Sequence, residues 1–177
     1  MLKFLQRLFG DNHPLSLAAK SGNVAHFGQV LLESKLVVIH AELGERLPLN
    51  SSDPEILEIV KKAAANEPTD ARFFSYQDEG KSYFPFFLSQ SDAEVFCGAF
   101  SGRENALFAY QLFQVQGSEI ARNSRTVDKL VMNAQCDDEF KVSPEWLMSL
   151  QALPISKDTD LKLKRLAVCI PHPSLRA

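Results

Sequence analysis

The sequence predicts an α+β domain. Its sheet is mixed, mostly antiparallel and four to six strands wide, and short amphipathic helices cover it. Three observations carry this expectation. Runs with strand character recur at 35–41, 71–77, 83–88, 108–116, 129–133 and 162–170. Stretches with helical spacing and capping residues stand between some of them, in irregular alternation. Two runs are joined only by the turn around Asp78-Glu79-Gly80, which marks an antiparallel hairpin. Irregular alternation with a hairpin favours α+β packing over a doubly wound parallel sheet.

The elements follow in order. Pro14 to Ser34 reads as two helical pieces, broken at Ser21-Gly22-Asn23 by turn formers. Asn23 caps the second, where Val24, Phe27, Gly28 and Leu31 share a face and Gly28 suggests close approach to a neighbour. Lys35–Ala41 is a strand by its β-branched run, and its unbroken apolar centre implies burial on both faces. Residues 44–51 form a loop. Ser52-Asp53-Pro54-Glu55 opens a helix, since proline suits a first turn. Its expected buried face is Ile56, Leu57, Val60, Ala63 and Ala64, with Glu58 and Lys62 paired outside.

After the hairpin turn comes Tyr83-Phe84-Pro85-Phe86-Phe87-Leu88. Aromatic residues fit a packed strand, but Pro85 has no N–H for a ladder. That points to an edge strand, or to a neighbour on one side only at that residue. Ser91 and Glu94 have capping-box spacing, and Ala93, Phe96, Cys97 and Phe100 form an apolar helical face before a break at Ser101–Glu104. Over Phe108–Gln116, alternation sets Phe108, Tyr110 and Leu112 against Ala109, Gln111, Phe113 and Val115, so the segment is a strand. Ser118–Asn123 is one or two helical turns, Lys129–Asn133 a strand, and Ala134–Glu139 an acidic turn. Ser143-Pro144-Glu145-Trp146 begins a helix that buries Trp146, Leu147 and Leu150. Lys162–Ile170 is the last strand. The chain thus divides into an N-terminal helical extension (1–12), an α+β domain (13–153) and a C-terminal linker with a strand or tail (154–177).

The 177 residues suffice for one domain with a core, and 45% hydrophobic with 23% charged residues is a globular balance. Thirteen phenylalanines against one tryptophan and three tyrosines imply an aromatic core. A net charge of −3 argues against nucleic acid as a partner. No window approaches the ~20 apolar residues of a membrane span, so no stable membrane insertion is expected. Cys97, Cys136 and Cys169 are odd in number and widely spaced, which excludes a disulfide framework and favours a reducing cytoplasm.

Phe84-Pro85-Phe86-Phe87-Leu88-Ser89-Gln90-Ser91-Asp92-Ala93-Glu94 resembles the strand-then-helix signature of the SseB-like N-terminal domain of enhanced serine sensitivity proteins. Three further stretches share the resemblance, which covers roughly residues 15 to 150. They are Ala25–Ile39, Gln114-Val115-Gln116-Gly117, and Leu130–Asn133 followed by Ser143-Pro144-Glu145. Ala134-Gln135-Cys136 departs from it, standing where the family has Pro-Gly-Ser. The resemblance implies a bacterial cytoplasmic protein of no established catalytic role, associated with serine tolerance or secretion-related loci.

Chemistry-bearing motifs are sparse. No dinucleotide fingerprint, phosphate loop or nucleophile elbow is present, and no cofactor is expected. His13, His26, His40 and His172 stand apart from any metal-ligand spacing. Cys136, followed by Asp137, Asp138 and Glu139, is the one candidate thiol for an enzyme or a redox sensor; adjacent carboxylates disfavour its thiolate. The favoured reading is a non-catalytic binding or adaptor module with a protein partner. Its candidate surfaces are the Pro85 strand edge, the turn with Asn133, Gln135, Cys136, Asp137 and Asp138, and the basic stretch with Lys162, Lys164 and Arg165. An exposed strand edge also allows a homodimer.

Overall fold

The computed structural model describes residues 13–40, 46–65, 72–155 and 163–170. The expected extension over 1–12, together with Lys162 and His172, lies outside them. So does the side chain of Cys169. The architecture is α+β, as expected.

Helices α1 (Pro14–Lys20) and α2 (Val24–Glu33) lead into strand β1 (Lys35–Ile39). Asn23 caps α2, its side-chain oxygen accepting from the His26 N–H. Strand β6 (Tyr110–Gln116) pairs antiparallel with β1 on one edge and with β9 (Lys164–Cys169) on the other. A second sheet has the order β3 (Tyr76–Asp78), β4 (Lys81–Phe86), β7 (Lys129–Met132), β8 (Phe140–Lys141). Within it β4 and β7 are parallel, and the remaining pairs antiparallel. The β3–β4 loop is Glu79-Gly80, both at positive φ, the geometry of a tight twisted hairpin.

The two sheets meet where Val37 and Phe87 exchange both backbone hydrogen bonds, each 2.8 Å. This meeting explains Pro85. Strand residues alternate the side to which they turn their backbone groups. Phe87 turns toward β1 and Phe86 toward Asn133, so position 85 faces the same side as Phe87. On that side β3 has already ended at the Tyr76–Tyr83 pair and the β1 contact has not begun. The missing N–H falls in this gap. Pro85 is buried and pairs with Val131 on its other side. The neighbour on one side only at Pro85 is as expected; the alternative of an exposed Pro85 strand edge for a partner is corrected, because β4 is internal to its sheet and Pro85 is buried.

Both faces of the joined sheets are covered. One face packs Leu36, Val38, Phe84, Phe86, Phe113 and Val115 against α1, α2, α5 (Gly117–Asn123) and α6 (Pro144–Gln151). The other packs Val37, Ile39, Phe87, Tyr110 and Leu112 against α4 (Gln90–Glu104). The alternation read from residues 108–116 is therefore the one observed. Aromatic contacts run through both layers: Phe73 stacks on Phe84 at 6.0 Å, and Phe87 meets Phe96 at 5.5 Å.

Several boundaries shift. The cap of α4 is Ser89, not Ser91. Its hydroxyl accepts from the Asp92 N–H and donates to the Asp92 carboxylate, satisfying the first turn two residues earlier. Nor does α4 break at Ser101; it runs on to Glu104 and stops at Asn105 in the left-handed region. In α3 (Asp53–Ala65) the buried residue is Ile59, whereas Leu57 is 53% exposed and Ala64 is exposed. The Glu58–Lys62 pair forms at 3.6 Å. The 44–51 loop contains β2 (Leu47–Pro48), which pairs with β5 (Ala106–Leu107).

Gly28 does not mark a forced approach. A Cβ there would sit 3.6 Å from Leu150 Cδ2 and 3.7 Å from Leu153 Cδ1, which is ordinary contact. Glycine in a helix interior is less stable than alanine by roughly 0.5–1 kcal/mol. Gly28→Ala is therefore expected to raise the thermal midpoint by about 1–4 °C, read by calorimetry.

Candidate functional site

The polar turn after β7 concentrates most of the sequence-predicted site. Asn133 ends the strand with φ 50°, a conformation asparagine tolerates better than most residues. Its N–H donates to the Phe86 carbonyl at 2.8 Å. Its Oδ1 accepts from the Leu88 N–H at 2.9 Å, and its Nδ2 donates to Asp138 Oδ2 at 2.8 Å. Only 1% of Asn133 is exposed. It therefore cannot present a side chain to a partner, and the expectation that it does is corrected. It ties the end of β7 to the end of β4.

Gln135 also has positive φ, 64°, and its N–H donates to Glu139 Oε2 at 2.8 Å. Cys136 donates its N–H to the Asn133 carbonyl and accepts at its own carbonyl from Glu139. These bonds close the turn on itself. Gln135 and Asp137 remain on the surface, with Cys136 and Asp138 half-buried. Glu139 pairs with Lys141 at 3.3 Å.

The thiol lies 3.6 Å from the Asp92 carbonyl and 3.7 Å from the Ala134 carbonyl, positions that let it donate a weak hydrogen bond. Burial pushes the Cys136 thiol up to about 12, and the charges of Asp92, Asp138, Asp137 and Glu139 push the same way. A nucleophilic cysteine needs the opposite environment, a cation or a helix N-terminus that favours thiolate. Asp92 sits above the usual carboxylate range, first through burial and then through Asp138. His13 is committed to helix capping through one ring nitrogen. Its Nδ1 caps α1 by accepting from the Leu15 N–H, and burial holds the imidazole below its ordinary value against the pull of Asp92.

Alkylation checks this directly. Cys136 is expected to react with iodoacetamide in the folded protein at least tenfold more slowly than free cysteine at neutral pH. The rate should rise only in strongly alkaline solution. Peptide mapping separates its labelling from that of buried Cys97.

The described histidines, His13, His26 and His40, lie on different elements. His26 is exposed on α2, while His40 is 1% exposed with its ring 6.0 Å from Phe113. Among the described residues, no group of three or more His, Cys, Asp or Glu is arranged to hold a metal. Asp92, on a different element from Cys136, was not singled out by sequence reasoning. Neither was Tyr76, whose hydroxyl is pushed up to about 12 by burial and by Glu139. Neither residue has a local spacing signal, since both join the turn only through tertiary packing.

The second surface is β9. Its inner edge pairs with β6, and among the described residues no strand pairs with its outer edge. The His40 N–H donates to the Gln111 carbonyl, so Gln111 turns its backbone to β1 and Leu112 turns toward β9. Leu112 faces Ala167, with an irregularity before Arg165. Val168 and, beyond the irregularity at Leu166, Arg165 accordingly direct their backbone N–H and C=O groups outward. Lys164 is exposed. Arg165 Nη1 donates to the Ala64 carbonyl at 2.9 Å, in the last turn of α3, and its guanidinium lies 5.9 Å from the Phe113 ring centroid. Arg165 is thus partly a structural clamp, and Lys164 is the freer of the two for a partner. At the far end of the other sheet, β8 is only two residues long.

No protein-family model, curated protein or solved structure matches this chain. No helix among the described residues is long and apolar enough to cross a membrane.

Proposed function

We propose that this chain is a non-catalytic protein-binding module of SseB-like type that acts in the cytoplasm and docks a partner through the outer edge of β9. The observation that carries the reading is the contrast between the two candidate surfaces. The polar turn spends its hydrogen-bonding groups on itself and on the end of β4, and it suppresses its thiol. Among the described residues no strand pairs with the outer edge of β9, which carries exposed Lys164. Open edges attract other chains; β8 is only two residues long, whereas β9 has six residues. The raised Cys136 thiol weighs against the enzyme and redox-sensor alternatives.

Affinity capture from the native host tests the reading. Wild-type protein and Lys164→Glu are used as paired baits, followed by hydrogen-exchange mapping of the retained complex. A partner retained by the wild type, depleted by the variant and protecting β9 is the expected result. Identical retained proteins from the two baits, with no protection of β9, would overturn it.

A further inference from the structure

We propose that the occupant of the β9 edge is an extended acidic segment of another protein, added as an antiparallel strand with its carboxylates beside Lys164 and Arg165. This rests on the binding-module reading and names the chemistry of the partner. The outward backbone groups at Arg165 and Val168 supply a ladder, the affinity-giving part of strand addition. Side chains along β9 supply the selectivity. Leu166 and Ala167 are half-buried against the core layer beneath α4, so this stretch of the edge is apolar. The Lys164–Arg165 end is basic on a chain whose net charge is −3.

An antiparallel segment runs its N-terminal half past Ala167 and Val168 and its C-terminal half past Arg165 and Lys164. The matching pattern is β-branched residues followed by Asp or Glu. Antiparallel addition continues the orientation of the β6–β9 pair and forms the more stable ladder. A second copy of this chain makes a poorer occupant. A two-fold ladder centred on Ala167 would set Arg165 opposite residue 169 and Lys164 opposite Ile170, so neither cation would meet an acid.

The test uses the full chain and a fluorescent peptide, Thr-Val-Thr-Val-Glu-Glu, read by anisotropy across a salt series. Binding that weakens as salt rises is expected. Lys164→Glu should weaken it by about fivefold at low salt, the scale of one exposed charge pair. The same peptide N-methylated at alternate residues keeps its charge but cannot form a ladder, and it should not bind. Exchange of the Arg165 and Val168 amides should slow in the complex. Equal binding by the N-methylated peptide overturns the proposal, because charge alone then explains the association. A β9-centred dimer in sedimentation that excludes the peptide overturns it too, in favour of a second copy. Absence of peptide binding, with capture still sensitive to Lys164→Glu, overturns the acidic-segment assignment alone. Failure of both overturns the binding-module reading.

Discussion

Gly117→Ala is expected to destabilise the protein by about 3 kcal/mol or more, at the upper end of what overpacking costs. The corresponding fall in thermal midpoint is about 6–12 °C for a chain of this length. Gly117 opens α5 directly after β6, and its N–H donates to the Ser34 carbonyl at 2.9 Å. That bond draws the backbone against the end of α2. A Cβ at position 117 would lie 1.7 Å from the Leu31 carbonyl oxygen and 2.6 Å from its carbon. The obstacle is backbone inside a helix that buries Phe27 and Leu31, so no side chain can swing aside to relieve it. Either α2 moves off the sheet or α5 loses its first turn. Urea unfolding followed by circular dichroism measures the loss. A variant within about 0.5 kcal/mol of the wild type would show that the approach of α5 to α2 is looser than these distances require. Gly28→Ala, whose Cβ would make only ordinary contact, is the matched control.

Asn133→Ala is expected to cost about 2–4 kcal/mol. The Leu88 N–H loses its acceptor and the Asp138 carboxylate loses a donor, each a penalty of about 1–3 kcal/mol where the group is shielded from water. Alanine also tolerates the φ of 50° less well, adding about 1 kcal/mol. Asn133→Gly separates these contributions, because glycine keeps the backbone conformation and removes only the side-chain bonds. It should therefore fall between wild type and alanine. Chemical denaturation of the three proteins reads the order, and equal stability of alanine and glycine variants would remove the backbone contribution. If the binding-module reading holds, neither variant should alter peptide affinity at temperatures where it stays folded.

The layout of the fold was legible because its apolar residues follow the two periods a chain can adopt. The clearest case is β6, where alternation divided Phe108, Tyr110 and Leu112 from Phe113 and Val115 as the two core layers do. Caps were legible when the polar residue stood alone before the helix, as at Asn23 and Ser143. At Ser89-Gln90-Ser91 two serines competed, and only the extended backbone of Ser89 decides between them. Strands β2, β5 and β8 are two residues each, too short to carry a period. Pro85 announced a missing donor but not what lay across from it, because the neighbours of β4 come from residues 37, 76 and 131.

The candidate site was legible in composition and not in role. Asn133, Gln135 and Cys136 draw attention as polar residues after a strand, which is how surface loops read. Burial of Asn133 depends on Leu88 and Phe86, 45 and 47 positions earlier, and no local pattern encodes that distance. Lys164 and Arg165 read as one basic patch, yet the Ala64 carbonyl and the Phe113 ring engage only the second.

The gap beside Pro85 has a consequence for how the molecule keeps its shape. At that position the main-chain lacing is interrupted; it resumes at Val37–Phe87 and at the bond from the Phe74 N–H to the Ile39 carbonyl, with the Phe73–Phe84 and Phe87–Phe96 ring contacts packed alongside. Ring contacts therefore fill the part of the seam that hydrogen bonds leave empty. The abundance of phenylalanine in this chain is thus a joinery requirement as well as a source of bulk.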